Sequence, residues 1–572
     1  MTWSVKTQGL DEVGKCRWEL VPYMRGNCID LGCGPTKAFP HFWGVDSCKD
    51  VDMFGIPMRP DLKMDVRDLS RLASASYDLV FSSHTLEHLE DTRAVLKEWW
   101  RLVKMGGHMA LYLPHADFYP RCDEKSRQEW KEWVDQNGSG FPNTAAAVET
   151  FAKLRRERGE TAVGAIYAGT PFSNPDHDHD FRPQDIVEAM KAIGGGFDLV
   201  ECEEREGGEE YSFWLVFKKI SSGVRESWKN PKPVKTAAVV RYGAQGDNIQ
   251  ASSVLPWLKE QGYHVSFYCQ SGAGHDVILH DPHIDRFVVQ DKDAVPPAVL
   301  ADFWTHERKK YDKWVNLCES VEGTLLAAPG RPNFEWPNAL RAKIMDRNYL
   351  EFLHELAEVP PPYRPMFYST AEEKAWAKKT AEKWGRKNIL WSLAGSSGHK
   401  VWPHLDAVIA GVMTEYPDTH VVLVGDESCA ILEQGWTEEP RVHCMSGKWT
   451  IRQSMAFAES ASLIIGTETG LLNAAGAMDT WKIITLSHSS KEMLTKHWIK
   501  TIALEQPEGV GCPKSHCRQM HGGGTSDPWL DCPQHEETGT ALCQFHIGPE
   551  MMWRAIESVL GKPVAMPERK AA

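Results

Sequence analysis

Cys28-Ile29-Asp30-Leu31-Gly32-Cys33-Gly34 is a short apolar run that ends in an acidic residue and two glycines. A strand that enters a tight turn at the carboxyl edge of a parallel sheet reads this way. The glycines let a ligand approach bare backbone where a Cβ would block it. The next apolar run, Phe42-Trp43-Gly44-Val45-Asp46, also closes on a carboxylate. An acid at the end of a second strand is suited to hold the two hydroxyls of a ribose. Together they point to a nucleoside-containing cofactor.

The chain has 572 residues, more than one hydrophobic core supports, so about three lobes are expected. With 42% hydrophobic and 25% charged residues it reads as globular. Its net charge of −14 argues against a large nucleic-acid-binding face. No apolar run approaches the roughly 18–20 residues of a membrane span, and the first ten residues carry no apolar signal region. The 14 cysteines are mostly scattered, as in a reduced cytoplasmic protein.

Working outward, Leu62 to Leu69 includes Asp65 and Val66. Tyr77-Asp78-Leu79-Val80-Phe81-Ser82-Ser83 reads as a strong strand, followed by His84-Thr85-Leu86-Glu87-His88 and a helix from Thr92 to Val103. Lys104-Met105-Gly106-Gly107 reads as the helix end, and His108 to Pro114 as another strand. Strands alternating with helices predict a doubly wound α/β sheet.

These ordered pieces resemble a class I S-adenosylmethionine-dependent methyltransferase of the type 11 branch. They are D-L-G-C-G, the acidic second-strand end, Asp65, Y-D-L-V-F-S-S-H-T-L-E-H and L-V-K-M-G-G. The resemblance implies that Asp30, Gly32 and Gly34 line the methionine end of S-adenosylmethionine, that Asp46 binds the ribose and that Asp65 and Val66 meet the adenine edge. It places Ser83 and His84 beside the sulfonium. The segment from His177 to Pro183 resembles the H-x-x-x-F-x-P that precedes a late helix, and Tyr211 to Lys218 would be the last strand. The family's third glycine is absent. The chain between Gly34 and Trp43 is too short for a crossover helix, which needs about 10–12 residues or more.

Methyl transfer from a sulfonium is an in-line displacement that needs positioning and at most a base. His84 and His88 are the first candidates for that base. His115, His177 and His179 share the chemistry, and each of these histidines can equally serve the fold alone. The run from Asp176 to Asp180 also permits a metal reading, but alternate residues of a strand point to opposite faces, so no metal ligand is assigned.

Ser221 to Lys235 is polar with two prolines and reads as a linker. A second fold begins at Thr236 to Arg241. It continues with Tyr242-Gly243-Ala244-Gln245-Gly246-Asp247-Asn248, a helix from Ile249 to Gln261 and the strand His264 to Cys269. Asp247 lies where a helix start directs its amides, and helix capping is its alternative role. After the proline run at Val359 to Pro365, a further α/β unit starts at Asn388 to Gly398. Lys400-Val401-Trp402-Pro403, the strand Thr419 to Val424 and the segment Thr467-Glu468-Thr469-Gly470-Leu471-Leu472-Asn473-Ala474-Ala475 follow.

These motifs resemble a family 9 glycosyltransferase of the heptosyltransferase group, with the two-lobed GT-B architecture of two further Rossmann-like domains. The resemblance implies that Asp247 takes the proton of an acceptor hydroxyl. Lys400 and the amides around Ser396 and Ser397 would neutralise the leaving diphosphate of a nucleotide-diphosphate sugar donor. Glu468, Thr469 and Gly470 would face that donor. Glu468 stands where the family has aspartate and Asn473 where it has histidine, which leaves open a non-catalytic module. Cys512, Cys517, Cys532 and Cys543 fit either a zinc site or a thiol-bearing surface loop.

The expected organisation is a methyltransferase domain at 1–220, a linker at 221–235, an acceptor lobe at 236–362 and a donor lobe with the cysteine tail at 363–572. The expected activity is methyl transfer plus glycosyl transfer in saccharide or lipopolysaccharide modification. The acceptor would be a saccharide or lipid-linked glycan, and the location cytoplasmic with peripheral contact at the inner membrane face.

Overall fold

The computed structural model describes residues 12–47, 56–118, 124–141, 144–158, 177–207, 210–229, 235–272, 274–291, 294–385, 387–395, 397–521 and 532–562. Ser396, Asp176 and the proline end of the expected linker lie outside them. The chain divides into two compact units. Unit 1 is Met1–Lys232 with Gln290–Lys310, and unit 2 is Pro233–Val289 with Tyr311–Ala572. Among the described residues no helix is long and apolar enough to cross a membrane.

Unit 1 is an α/β layer built on one sheet. Its strands are β1 (Cys28–Leu31), β2 (Trp43–Asp46), β3 (Leu62–Lys63), β4 (Tyr77–Ser83), β5 (Val103–Pro114), β6 (Gly196–Gly207), β7 (Glu210–Ile220) and β8 (Val224–Arg225). Their spatial order is β3-β2-β1-β4-β5-β7-β6-β8. Only β7 runs against the rest, pairing antiparallel with both β5 and β6. β1 is buried at every position, as a strand covered on both faces must be. The stretch expected as a linker opens with β8, which extends the sheet edge beside β6.

Two helices, α1 (Thr92–Leu102) and α2 (Pro183–Ile193), cover one face of this sheet. The Asp91 carboxylate caps α1 by accepting from the Ala94 amide at 3.0 Å. Val95, Leu96, Trp99, Trp100 and Leu102 form its buried stripe. The Trp99 indole donates to the Val66 carbonyl at 2.9 Å. Trp99→Phe removes that bond and leaves a buried acceptor unpaired. It is expected to cost about 2 kcal/mol, read as an earlier urea transition of the full chain.

Lys104 to Gly107 is not a helix end. β5 begins directly at Val103, which pairs with Tyr77, and a register shift follows before Leu79. Gly106 takes φ +80°, and a Cβ on Gly107 would stand 2.9 Å from the Asp78 carbonyl oxygen. The glycines therefore serve a bulge where two strands touch. As expected, no helix joins β1 to β2. The Ala38 peptide is held instead, its amide donating to Asp30 Oδ2 at 2.8 Å and its carbonyl accepting from Arg17 Nε at 2.8 Å. The helix Leu300–Arg308 also belongs to this unit. Its Phe303 ring lies 5.7 Å from Trp18, and Glu19 accepts from His306 at 3.0 Å.

Unit 2 holds two all-parallel sheets. The first comprises β9 (Thr236–Val240), β10 (His264–Gln270), β11 (Arg286–Gln290) and β12 (Lys313–Asn316), in the order β11-β10-β9-β12. The second comprises β13 (Lys387–Ser392), β14 (Thr419–Val424), β15 (Val442–Cys444), β16 (Leu463–Thr467), β17 (Trp481–Thr485) and β18 (Thr501–Leu504). Its order is β15-β14-β13-β16-β17-β18. The helix expected over Ile249–Gln261 is two helices. The first, α3 (Gln245–Ser252), starts four residues early, and Leu255–Glu260 follows as a separate piece with proline in its first turn. Pro256 accounts for the break, since it has no N–H to continue the first helix. A further helix, α4 (Gly470–Ala475), packs closely against α3. A Cβ on Gly470 would stand 2.9 Å from the Gln245 Cβ.

Candidate functional site

Among the parallel strands the order reverses between β1 and β4, between β9 and β12, and between β13 and β16. Ligands of open parallel sheets bind at the carboxyl ends of the strands flanking that reversal, where the two outgoing connections part. The sequence-predicted residues fall on these three places.

At the β1/β4 reversal, Gly32 and Gly34 take φ +72° and +54°. They differ in what surrounds them. A Cβ on Gly32 would stand 2.2 Å from Thr85 Oγ1, whereas no described atom lies within 4 Å of one on Gly34. Gly32 thus closes β1 against the segment after β4, and Gly34 fronts open space. Asp46 accepts from the Gly34 amide at 3.1 Å, which ties the second acidic end to the glycine turn. Asp30 is fully buried and holds Ala38 as described. Asp65 is gripped by Arg67, whose Nη2 lies at 2.6 Å, and this hydrogen bonding holds its carboxyl below the usual range. Val66 is buried and serves Trp99. The Ser83 hydroxyl, at the end of β4, is buried with no hydrogen-bond partner among the described residues, which suits contact with a polar ligand.

His84 follows at φ +46°, a conformation uncommon outside glycine. It sets the ring 5.3 Å from Tyr112 and 5.9 Å from Tyr211. Its Nε2 is 3.0 Å from Ser212 Oγ and 3.5 Å from Glu12 Oε2. Burial works to raise the Glu12 carboxyl, but His84 and Lys15 hold it below its ordinary value. His88 sits one turn on, its Nε2 3.9 Å from Glu87. His115 is buried against Phe118, and the His179 ring contacts the Glu90 carbonyl.

In unit 2 the loop after β9 carries Arg241, which is almost wholly buried. Its guanidinium donates to the Leu317 carbonyl at 2.9 Å and to Glu322 Oε2 at 2.6 Å, and lies 3.1 Å from Asp247 Oδ1. Asp247 stands in the first turn of α3 and accepts from the Ala244 amide at 2.7 Å. The carboxylate is deep in the cleft, although 20% of its side chain still meets solvent. Burial, opposed by Arg241 and reinforced by the neighbouring Glu322, pushes its titration up to about 7. Glu322 is held low in turn: burial opposes this, and Arg241 outweighs it. The two carboxyls beside one guanidinium thus titrate apart, Asp247 above its ordinary range and Glu322 below it.

Across the cleft, Lys400 Nζ donates to the Glu468 carbonyl at 3.1 Å. Burial lowers its titration against the pull of Glu468, Asp247 and Glu322. Glu468 is buried and saturated. It accepts from the Ser487 hydroxyl, from the Ser489 amide at 3.0 Å, and stands 3.1 Å from His488 Nδ1. Thr469 caps α4 and pairs with Ser392 Oγ at 3.2 Å. Asn473 accepts from Gln250 at 2.8 Å, joining α4 to α3. Ser397 bonds to His399 and to the His521 carbonyl. A cavity of about 340 Å³ opens at the ends of β13, β16 and β17, beside Ser392, Trp402, Asp406, Thr467 and Thr485. The four tail cysteines line one small cavity with His399, His488 and His521. Burial pushes the Cys517 thiol up to about 12 and that of Cys532 to about 11.

Several participants carried no motif. Glu322 comes 75 residues after Asp247 and joins it only because β12 pairs with β9. Glu12 and Tyr211 reach His84 from the two ends of unit 1. Glu87, by contrast, lies inside the S-S-H-T-L-E-H segment, between His84 and His88.

Residues 29–111, from β1 through most of β5, match the family model described as a methyltransferase domain. Similarity to solved structures covers both halves. E. coli ADP-heptose lipopolysaccharide heptosyltransferase II aligns at 12% identity over 57% of this chain and 98% of its own, with a TM-score of 0.39. The family 9 glycosyl transferase of Veillonella parvula aligns at 15% over 58% of this chain and 99% of its own, TM-score 0.40. A SAM-dependent methyltransferase from Thermotoga maritima aligns at 15% over 36% of this chain and 88% of its own, TM-score 0.21. No curated protein sequence matches the chain.

Proposed function

We propose that the chain is a bifunctional transferase, with a methyltransferase at 1–220 and a glycosyltransferase with lobes at 236–362 and 363–572. Unit 1 takes S-adenosylmethionine across the glycine turn. Gly32 and Gly34 flank its methionine end beside Asp30, Asp46 takes the ribose, Asp65 and Val66 lie at the adenine edge, and Ser83 meets the sulfonium end. His84, with His88 behind it, is the base nearest that end. Unit 2 takes a nucleotide-diphosphate sugar in the cavity at the ends of β13, β16 and β17. Asp247 removes the proton of the acceptor hydroxyl as the sugar carbon is attacked. Lys400, leaving the Glu468 carbonyl, and the amides at Ser396 and Ser397 receive the departing diphosphate. Glu468, Thr469 and Gly470 shape the donor side. The acceptor is a saccharide or lipid-linked glycan, met in the cytoplasm or at the inner membrane face.

The observation that carries this reading is the carboxyl pair at Asp247. A base poised near neutral pH, opposite a lysine, at the reversal of a parallel sheet is what sugar transfer to a hydroxyl requires. One observation favours a second reading, in which unit 2 binds without catalysing: Lys400 and Glu468 already satisfy internal partners. Mass spectrometry of small molecules retained by the purified chain separates the two, followed by label transfer from S-adenosylmethionine and nucleotide sugars to glycan acceptors. Transfer of both labels supports the bifunctional reading. Methyl transfer alone leaves unit 2 a binding module, and transfer of neither overturns the proposal.

A further inference from the structure

Glu87 is fully buried, yet neither of its carboxylate oxygens accepts a hydrogen bond from the described residues. A buried carboxylate without donors is costly. What surrounds it is imidazole. His84 Nδ1 lies 3.6 Å from Glu87 Oε1 and His88 Nε2 lies 3.9 Å from the same oxygen. The buried His177 packs edge-on against His88, with ring centroids 4.7 Å apart. One ligating atom from each of Glu87, His88 and His177 falls within 4.8 Å of the others.

These separations exceed a hydrogen bond but suit ligands that share an ion. Donor atoms about 2.1 Å from one cation stand roughly 3–3.5 Å apart, and small side-chain rotations close the remainder. We propose that Glu87, His88 and His177 form a site for one divalent first-row cation such as Zn²⁺, Fe²⁺, Mn²⁺ or Co²⁺. Two imidazoles and one carboxylate are the donor set that such ions accept while keeping positions open. The scaffold holds the ligands from two directions. Glu87 and His88 follow β4, and the His177 segment is anchored on them by the Asp178 and His179 amides, which donate to the Glu87 carbonyl at 2.8 and 3.0 Å. The His88 side chain is 29% exposed, which leaves a path for the ion.

The site adjoins the glycine turn through Thr85, whose hydroxyl donates to the Gly32 carbonyl at 3.3 Å. Resting on the methyl-transfer reading of unit 1, the open positions of the ion take oxygens of a hydroxylated acceptor and hold them toward the methyl donor. A polyol or other vicinal diol is the acceptor class this chemistry selects.

The test uses Co²⁺ and the full chain. The wild type is expected to bind one equivalent with a visible d–d spectrum free of thiolate charge-transfer bands, and its melting temperature is expected to rise with added Co²⁺. Glu87→Gln, which keeps the shape of the side chain, is expected to lose both effects, and so is His88→Gln at a partly exposed position, with the far-UV spectrum and metal-free melting temperature of each variant reporting its folding. A wild type that binds no Co²⁺, or binds it only with thiolate bands that Cys512→Ser removes, overturns the proposal. So does an unchanged spectrum and melting response in His88→Gln. Calorimetry with S-adenosylhomocysteine on the same samples reports the methyl-donor reading separately. Ion binding without nucleoside binding retains the cation site and removes its role in methyl transfer.

Discussion

Asp247→Asn is expected to lower the glycosyl-transfer kcat by about 10²–10⁴-fold while nucleotide affinity stays unchanged. Asparagine keeps an oxygen for the Ala244 amide, so the first turn of α3 survives, but it cannot take a proton. A pure cap would lose little on this change. The wild-type rate should rise with pH through about 7, because the acting form is the carboxylate and burial next to Glu322 holds Asp247 protonated up to about that pH. Glu322→Gln removes the like charge, so the midpoint of that profile should move to lower pH. A profile centred near 7 in both proteins would exclude Asp247 as the base.

The same carboxyl has a stability signature of definite sign. Its folded titration lies above the unfolded value of about 3.9, so its favourable contribution is complete below about pH 4. That contribution is lost progressively as pH rises through about 7. Asp247→Asn should therefore melt with the wild type near pH 4 and increasingly above it from there to about pH 7, with a constant gap beyond. A variant less stable than wild type at pH 8 would mean that the Arg241 contact outweighs the burial penalty.

The parts of this molecule that were legible from sequence are local. D-L-G-C-G predicted a strand and a turn because two glycines at positive φ have few alternatives, and both adopt it. Thr419–Val424 has the bounds that the sequence predicts, because the β-branched Thr419, Val421, Val422 and Val424 gather between turn signals. The missing helix between Gly34 and Trp43 followed from counting residues. What failed were places where a local signal had two meanings. Gly106-Gly107 after a basic residue reads as a helix end, yet the glycines serve a bulge required by contact with Asp78. The apolar pattern over Ile249–Gln261 is helical throughout, and only Pro256 marks the break. The remainder was non-local. Glu322 becomes part of a site only through strand pairing, and Glu87 becomes unusual only when its oxygens are found without donors. Residue type and spacing locate a turn, but the electrostatics of a site depend on which loops the sheet order brings together.

That distinction makes Gly34 the sharper test of unit 1. Gly34→Leu is expected to weaken S-adenosylhomocysteine binding by at least about 100-fold, two decades or roughly 2.7 kcal/mol, in a protein that still folds. The backbone cost of a side chain at φ +54° is about 1–2 kcal/mol, which a unit with this core can absorb. No described atom lies within 4 Å of the new Cβ, so the branch itself meets no described part of the chain. The turn it sits on is tied to Asp46, whose carboxylate accepts from the Gly34 amide. Gly32→Ala is the opposite case: its methyl meets Thr85 at 2.2 Å, so it should fail through the fold. Gly34→Ala carries the same backbone cost as Gly34→Leu with little bulk. If calorimetry finds the alanine variant as weak as the leucine variant, backbone strain accounts for the loss. If it finds the leucine variant binding like wild type, the cofactor does not cross this turn, and the glycine at 34 is there for the chain reversal alone.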